Sequence, residues 1–264
     1  MLLSMRLIFF ALAFSGLAAF CGGEALGEDV VRIVSKQSDK DRRGDYKDSL
    51  LDALLDHTVP EFGSYRIVNN KPITRKRGFI EMLHGRDLNL YFAPADRQWE
   101  DELIPIRVPI RKGLLNYRLL LIDKAELKAF AGIRTADDLK KFDVGLRAGW
   151  TTTKVMKALG FQVVTASSYD SVFLMLKHRR FSFIPRGVNE VFGEVDAWKD
   201  GKGANIVIEP SLALFMPMPV YIYVSPKEPK LARRIEAGFR IIKQNGEFDR
   251  LFKRFFGRSI EQAD

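Results

Sequence analysis

Cysteine occurs once in these 264 residues, at Cys21, and histidine three times, at His57, His84 and His178. A chain cut after Gly27 has no cysteine. That excludes a disulfide framework, a thiolate metal site and a thiol nucleophile. The three histidines sit at expected helix ends, where the helix dipole favours a cation, and they lack the paired spacing of a metal site. No Gly-x-Ser-x-Gly, phosphate-cradling glycine loop or His-Glu-x-x-His occurs. Beyond residue 27 no apolar run approaches the ~20 residues that a membrane-spanning helix needs. Internal repeats and low-complexity tracts are also missing.

What is present begins with an export pattern. Met1 to Arg6 carries one positive charge, and Leu7 to Phe20 is apolar apart from Ser15 and Gly16. Ala25-Leu26-Gly27 then places small residues where a signal peptidase reads them. Residues 1–27 are therefore expected to be a signal peptide, with Glu28 starting a periplasmic protein; a retained anchor is the alternative. Cys21 follows the bulky Phe20, whereas a lipidated cysteine usually follows a small residue.

The formal net charge is +9. Its Lys and Arg residues are scattered rather than blocked, which argues for a field that attracts anionic solutes and against a nucleic-acid partner. Residues 28–264 suffice for one large domain or two lobes of about 100–120 residues each.

Short apolar runs alternate with amphipathic stretches. Strands are expected at 30–34, 65–68 and 88–92, with helices at 46–57 and 74–84. This order implies parallel pairing through crossover helices. Residues 97–102 read as a polar turn. Residues 103–110 and 114–122 read as extended, since Pro105 and Pro109 disfavour a helix. A second alternating unit follows: a short helix from Thr135 to Lys141 with Asp138 placed for a capping box, then strand 143–147, helix 151–159, strand 161–165, helix 169–178, strand 181–184, helix 188–198 and strand 205–208. Strand 220–224 and helices 231–243 and 248–256 close the chain.

The stretch DVGLRAGWTTTKVMKALG, residues 143–160, is the most informative about function. A strand runs into the turn Ala148-Gly149-Trp150, and three threonines open a helix. Helix starts expose unpaired N–H groups and partial positive charge, so this turn offers an anion seat beside a flat aromatic wall. Simple capping by Thr is the plainer alternative.

Three segments carry a family resemblance: IRTADDLKKFDVGLRAGWTTTKVM, then Phe181 to Gly187, then LARRIEAGFRIIKQNGEFDRLFKRFFG. In this order the chain resembles the type II periplasmic solute-binding proteins, extracellular solute-binding family 3, over roughly residues 30–257. The resemblance implies an α/β fold of two lobes, each a mixed sheet flanked by helices, joined by two hinge crossings near 113–118 and 216–219. Lobe 1 is then 28–115 with 219–264, and lobe 2 is 116–218. Ligand binds between the lobes, which close on it.

Carried onto this sequence, the family's carboxylate seat falls on Gly149, Trp150, Thr151 and Thr152. The arginine after the third strand, which clamps the same carboxylate, is matched by Arg97. Tyr91 and Phe92 end that strand, and one of them is expected to face the cleft. The polar loop Ser35 to Asp39 is a further contact region. Amino-acid binders carry an acid after the fourth lobe 2 strand to hold the ligand's ammonium group. Here that position falls at Gly187, beside Arg186, and Glu190 is not expected to reach in. An exposed guanidinium there disfavours an α-amino acid and favours an anionic or carboxylate-bearing solute; pairing of Arg186 with Glu190 or Glu194 is the alternative. The expected activity is binding without catalysis: a monomer with no cofactor and no metal, passing a small molecule to a transporter permease. The alternatives are a ligand sensor for a membrane receptor and a dehydratase-like enzyme on the same fold, for which Asp39, Asp96 and Glu190 are the candidate acids or bases.

Overall fold

A computed structural model describes residues 27–36, 43–198 and 205–263. The signal segment with Cys21, most of the Ser35–Asp39 loop and the expected Gly201–Gly203 loop lie outside the described residues. The elements in chain order are β1 (Asp29–Val34), α1 (Arg43–Asp56), α2 (Val59–Phe62), β2 (Tyr65–Asn70), α3 (Arg75–His84), β3 (Leu90–Pro94), α4 (Arg97–Glu102), β4 (Ile104–Ile106), β5 (Tyr117–Asp123), α5 (Leu127–Phe130), α6 (Ala136–Leu139), β6 (Val144–Arg147), α7 (Thr151–Ala158), β7 (Val163–Ala166), α8 (Tyr169–Lys177), β8 (Phe183–Gly187), α9 (Val188–Trp198), β9 (Ile206–Phe215), β10 (Val220–Val224), α10 (Pro229–Gln244) and α11 (Glu247–Glu261).

The strands fall into two groups. In the first, β1 pairs β2 in parallel, and β10 lies antiparallel between β3 and β4. Asn89 joins these two sheets: its Oδ1 accepts from the Arg32 N–H at 2.7 Å, and its side-chain amide donates to the Val30 carbonyl at 2.7 Å. In the second, β7-β6-β8-β5-β9 form one mixed sheet, with β6 parallel to β7 and β8 and β5 antiparallel to β8 and β9.

Each group has its own core. Leu50, Leu51, Leu54 and Leu55 of α1 meet Ile235, Phe239 and Ile242 of α10, with Leu251 and Phe256 of α11 beside them. The two helices come so close at Gly238 that a Cβ there would lie 2.5 Å from the Leu54 carbonyl oxygen, so only glycine is accommodated. The mixed sheet is covered by two clusters, one around Phe130, Met156 and Phe183 and one around Phe173, Leu176 and Val191.

Several elements depart from the sequence reading for local reasons. Residues 97–102 are a helix, because the Asp96 side chain accepts from the Gln98 N–H at 3.2 Å and caps it. The extended runs expected over 103–110 and 114–122 are shorter: β4 ends at residue 106, and the chain turns through Arg111–Gly113 and a single 3-10 turn at Leu114–Asn116 before β5. Strand β9 is far longer than the apolar run 205–208 suggests. It bulges where Pro210 interrupts the ladder, and the Glu209 carboxylate holds the bulge by accepting from the Ser211 and Leu212 N–H groups at 2.9 and 2.6 Å. The Thr135–Asp138 capping box is present in both directions.

The chain passes between the two groups twice, before β5 and after β9. Asn116 ties the passages together. Its carbonyl accepts from the Met216 N–H and its Oδ1 from the Met218 N–H, both at 2.7 Å.

Candidate ligand-binding site

Between the two strand groups lie two adjoining chambers with Ile73, Tyr91, Leu115 and Glu190 in the walls of both. The larger, about 600 Å³, is bounded mainly by β1, α1, β3 and the segment before α3. The smaller, about 160 Å³, lies where Arg75 of the first group faces the Gly149–Thr152 turn of the second.

The turn is built by backbone conformation. Gly149 takes φ 84°, and Trp150 stands at the N-cap with no side-chain cap on the helix. The three threonines do not cap α7. Thr151 Oγ1 accepts from Arg75 Nη1 at 2.9 Å, Thr152 is buried at the chamber wall, and Thr153 Oγ1 donates to the Arg147 carbonyl at 2.9 Å. The start of α7 therefore faces the chamber without a protein acceptor on its side-chain cap, which favours an anion there.

Four guanidiniums border the small chamber: Arg75, Arg118, Arg147 and Arg186. Arg75 opens α3, lies 4.7 Å over the Trp99 ring, donates to the Pro94 carbonyl at 3.1 Å and stands 3.6 Å from Asp96. Burial lowers its pKa, opposed by Asp96. The Arg147 Nε is buried without a hydrogen-bond partner among the described residues. Arg118 sits on β5 where the chain enters the second group. Its Nη1 is 3.6 Å from Glu190 and its Nη2 3.0 Å from the Met218 sulfur. Burial brings its pKa down to about 10, partly countered by Glu190.

Arg186 is engaged by its own neighbours. Its Nε and Nη2 meet the Glu194 carboxylate at 2.7 and 2.5 Å, and Glu190 lies 3.2 Å away. Tyr169 donates to Glu194 at 2.8 Å. Burial alone would lower the pKa of Arg186, but Glu190 and Glu194 raise it above the ordinary arginine range. The guanidinium lies 4.7 Å over the Trp150 ring and so braces the aromatic wall. The expectation of an uncompensated Arg186 is thus corrected: it is paired on helix α9, and its charge alone says little about the ligand.

Two further expectations change. The Arg97 side chain is 96% exposed, 3.8 Å from Asp101, and borders neither chamber. Helix α4 turns Trp99 inward at 3% exposure, which leaves Arg97 on the opposite face. Arg75 stands in the cleft instead. Glu190, not expected to reach in, borders both chambers, because α9 begins directly after β8 and turns the first-turn carboxylate back over Gly187, whose N–H it accepts at 3.1 Å. Tyr91 and Phe92 both border the larger chamber, and Tyr91 borders the smaller as well. Burial raises the Tyr91 pKa against the pull of Arg75 and Arg147. Arg75, Arg118 and Arg147 escaped the sequence reading. Only their tertiary convergence marks them, although the position of Arg147 directly before the Gly149 turn was a usable signal.

No protein-family model and no curated protein matches this chain. Solved structures do. An ancestral arginine-binding protein bound to arginine matches with a TM-score of 0.64 at 16% identity, covering 88% of this chain and 100% of that one. A periplasmic His/Glu/Gln/Arg/opine family-binding protein from Silicibacter pomeroyi, in complex with lysine, matches with 0.64 at 10% identity, covering 86% and 97%. The chain has the type II periplasmic binding-protein fold. A third match, an ancestral amino-acid-binding protein that is a precursor of cyclohexadienyl dehydratase, gives 0.62 at 14% identity, covering 86% and 95%. The chambers of this binding-protein fold lie between its two strand groups, at the ends of β3, β6 and β8, where α/β sheets present ligand sites.

Proposed function

We propose that this chain is a periplasmic solute-binding protein that closes over a small carboxylate-bearing solute and passes it to an uptake permease. The observation that carries the reading is the small chamber, where Arg75 of one strand group and Arg147 of the other meet the uncapped start of α7, with Arg118 and Arg186 held by Glu190 and Glu194 beside them. The carboxylate sits against Gly149–Thr152 and Arg75, and the rest of the solute occupies the larger chamber beside Tyr91 and Phe92. The lobes are 28–115 with 219–264, and 116–218, and they move about crossings at 113–118 and 216–219. Asn116, bonded across both crossings, lies at the centre of that hinge.

The test is a thermal-shift screen of the purified protein against organic acids, amino acids and polyamines. Binding to the folded state raises the melting temperature with ligand concentration. Carboxylates are expected to shift it; a response confined to polyamines sinks the proposal. A dehydratase-like enzyme is the second reading, favoured by the match to a dehydratase precursor. Mass spectrometry of a stabilising compound after prolonged incubation separates the two, since a binding protein returns it unchanged.

A further inference from the structure

Glu190 occupies the place from which a carboxylate could greet a ligand's ammonium group, yet its Oε2 is already committed. Arg186 Nη2 approaches it at 3.2 Å, Arg118 Nη1 at 3.6 Å, and the Gly187 N–H at 3.1 Å. Its side chain is only 8% exposed. The next carboxylate, Glu194, is gripped by two nitrogens of Arg186 and by the Tyr169 hydroxyl. Among the described residues, the remaining charged groups of the small chamber are the guanidiniums of Arg75 and Arg147. An ammonium on the carbon next to a carboxylate held at Gly149–Thr152 sits in this chamber of about 160 Å³ or at its border with the larger one, beside Glu190. It would lose its water and meet cations together with a carboxylate already held by two of them, and such burial is costly. A carboxylate alone faces the opposite situation: guanidiniums, a buried Nε on Arg147 with no partner among the described residues, and a helix start.

Resting on the solute-binding reading, we infer that the cleft selects an organic acid whose carboxylate has no neighbouring ammonium, with its body in the larger chamber. That chamber supplies an apolar wall from Val34, Ile73 and Phe92 and polar groups from Lys47, Asp48 and Asn69, with Asp48 on the α1 side, away from the carboxylate seat at Gly149–Thr152. The ligand is therefore a substituted carboxylic acid rather than the α-amino acid of the same skeleton.

Isothermal titration with matched pairs tests this: 3-phenylpropanoate against L-phenylalanine, glutarate against L-glutamate, and 5-guanidinopentanoate against L-arginine. The acid of at least one pair is expected to bind, more tightly than its amino acid by about tenfold or more, the scale of one charged group left unpaired. Arg147→Gln is expected to weaken that acid by a similar factor. An amino acid that binds as tightly as its partner acid overturns the inference and leaves the solute-binding reading standing. An Arg147→Gln protein with unchanged affinity overturns the placement of the carboxylate. If none of these acids binds while polyamines stabilise the protein in the thermal-shift screen, the carboxylate-binding reading falls and the inference with it.

Discussion

The Arg75 guanidinium donates to the Thr151 hydroxyl at 2.9 Å, and this bond joins α3 of one strand group to the start of α7 in the other. The same side chain is stacked on Trp99 at 4.7 Å and bonded to the Pro94 carbonyl, so its direction is fixed before any ligand arrives. A pre-aimed guanidinium loses little entropy when it adds a carboxylate to its partners.

Arg75→Lys keeps the charge but loses the planar fork and the stack on Trp99. Affinity for the carboxylate ligand should fall about tenfold or more, since hydrogen bonds to charged groups contribute about 1.5–3 kcal/mol. Arg75→Ala should fall at least as far. Titration calorimetry with the tightest ligand from the thermal-shift screen measures both. An unchanged affinity in the Lys variant would mean that only the field of the cleft matters.

Arg97→Ala is the matching control. With its side chain 96% exposed and outside both chambers, the substitution should leave affinity unchanged and stability within about 0.5 kcal/mol. A marked loss of binding would restore Arg97 to the ligand site and displace Arg75.

Why the family resemblance points to Arg97 and misses Arg75 is a matter of what local sequence pattern can encode. Elements with a strong local pattern are readable: Leu50, Leu51, Leu54 and Leu55 at helical spacing, the box at Thr135 and Asp138, and the glycine at 149 that must take a left-handed turn. The Gly149–Thr152 wall follows from that turn. Arg75 is merely the first residue of a helix, and nothing local distinguishes it from Arg97, also a first helical residue. Their difference is set by Trp99, which packs against Phe79, Tyr91 and Tyr223 and turns Arg97 outward. The engagement of Glu190 by Arg118 likewise depends on pairing β5 with β8, a long-range contact with no signature in either segment.

Glu194→Gln tests the buried network behind the aromatic wall. The exchange keeps the shape and removes one of the two carboxylates that hold Arg186, whose side chain is 3% exposed, leaving Glu190 at 3.2 Å. Breaking one partner of a buried pair costs about 3–5 kcal/mol. At roughly 2–4 °C per kcal/mol for a chain of this size, the melting temperature should drop by about 10 °C. Replacing both partners, Arg186→Met with Glu194→Leu, should recover part of that loss, because Glu190 keeps Arg118 as its partner at 3.6 Å while the Tyr169 hydroxyl loses its acceptor. A double variant as unstable as Glu194→Gln would show that packing around α9, not charge, sets the cost.

Alkaline pH probes a different part of the first strand group. Tyr223 is 0% exposed, and burial first, then Glu100, pushes its pKa up to about 12. The unfolded chain releases this proton near an ordinary tyrosine pKa of about 10, while the folded chain retains it to about 12. Between these values the folded state binds more protons, so stability falls as pH rises. The contribution is complete below pH ~10 and lost through ~12. Tyr223→Phe cannot lose it. The stability of the native sequence relative to Tyr223→Phe, from urea denaturation, should therefore decline between about pH 10 and pH 12. Comparing the two proteins cancels the opposite trend of Arg118, whose depressed pKa makes its burial less unfavourable above about 10. A flat difference would place Tyr223 in contact with water in the folded state.

Gly149 and Gly145 separate two reasons for glycine within one strand and turn. A Cβ on Gly149 would meet nothing within 4 Å, but the residue holds φ 84°. Gly149→Ala should therefore cost only the left-handed backbone penalty, about 1–2 kcal/mol. Gly145 has an ordinary φ, yet a Cβ there would lie 1.9 Å from the Phe181 ring in a closed interior. Relief requires the ring to move, and overpacking of this kind typically costs about 1–3 kcal/mol and occasionally more. The distinguishing measurement is the response to a second substitution. Phe181→Leu, which withdraws the ring, should rescue Gly145→Ala and leave the cost of Gly149→Ala untouched. If Phe181→Leu helped both alike, the turn that presents Trp150 to the cleft would be held by packing from the segment before β8 rather than by its own backbone.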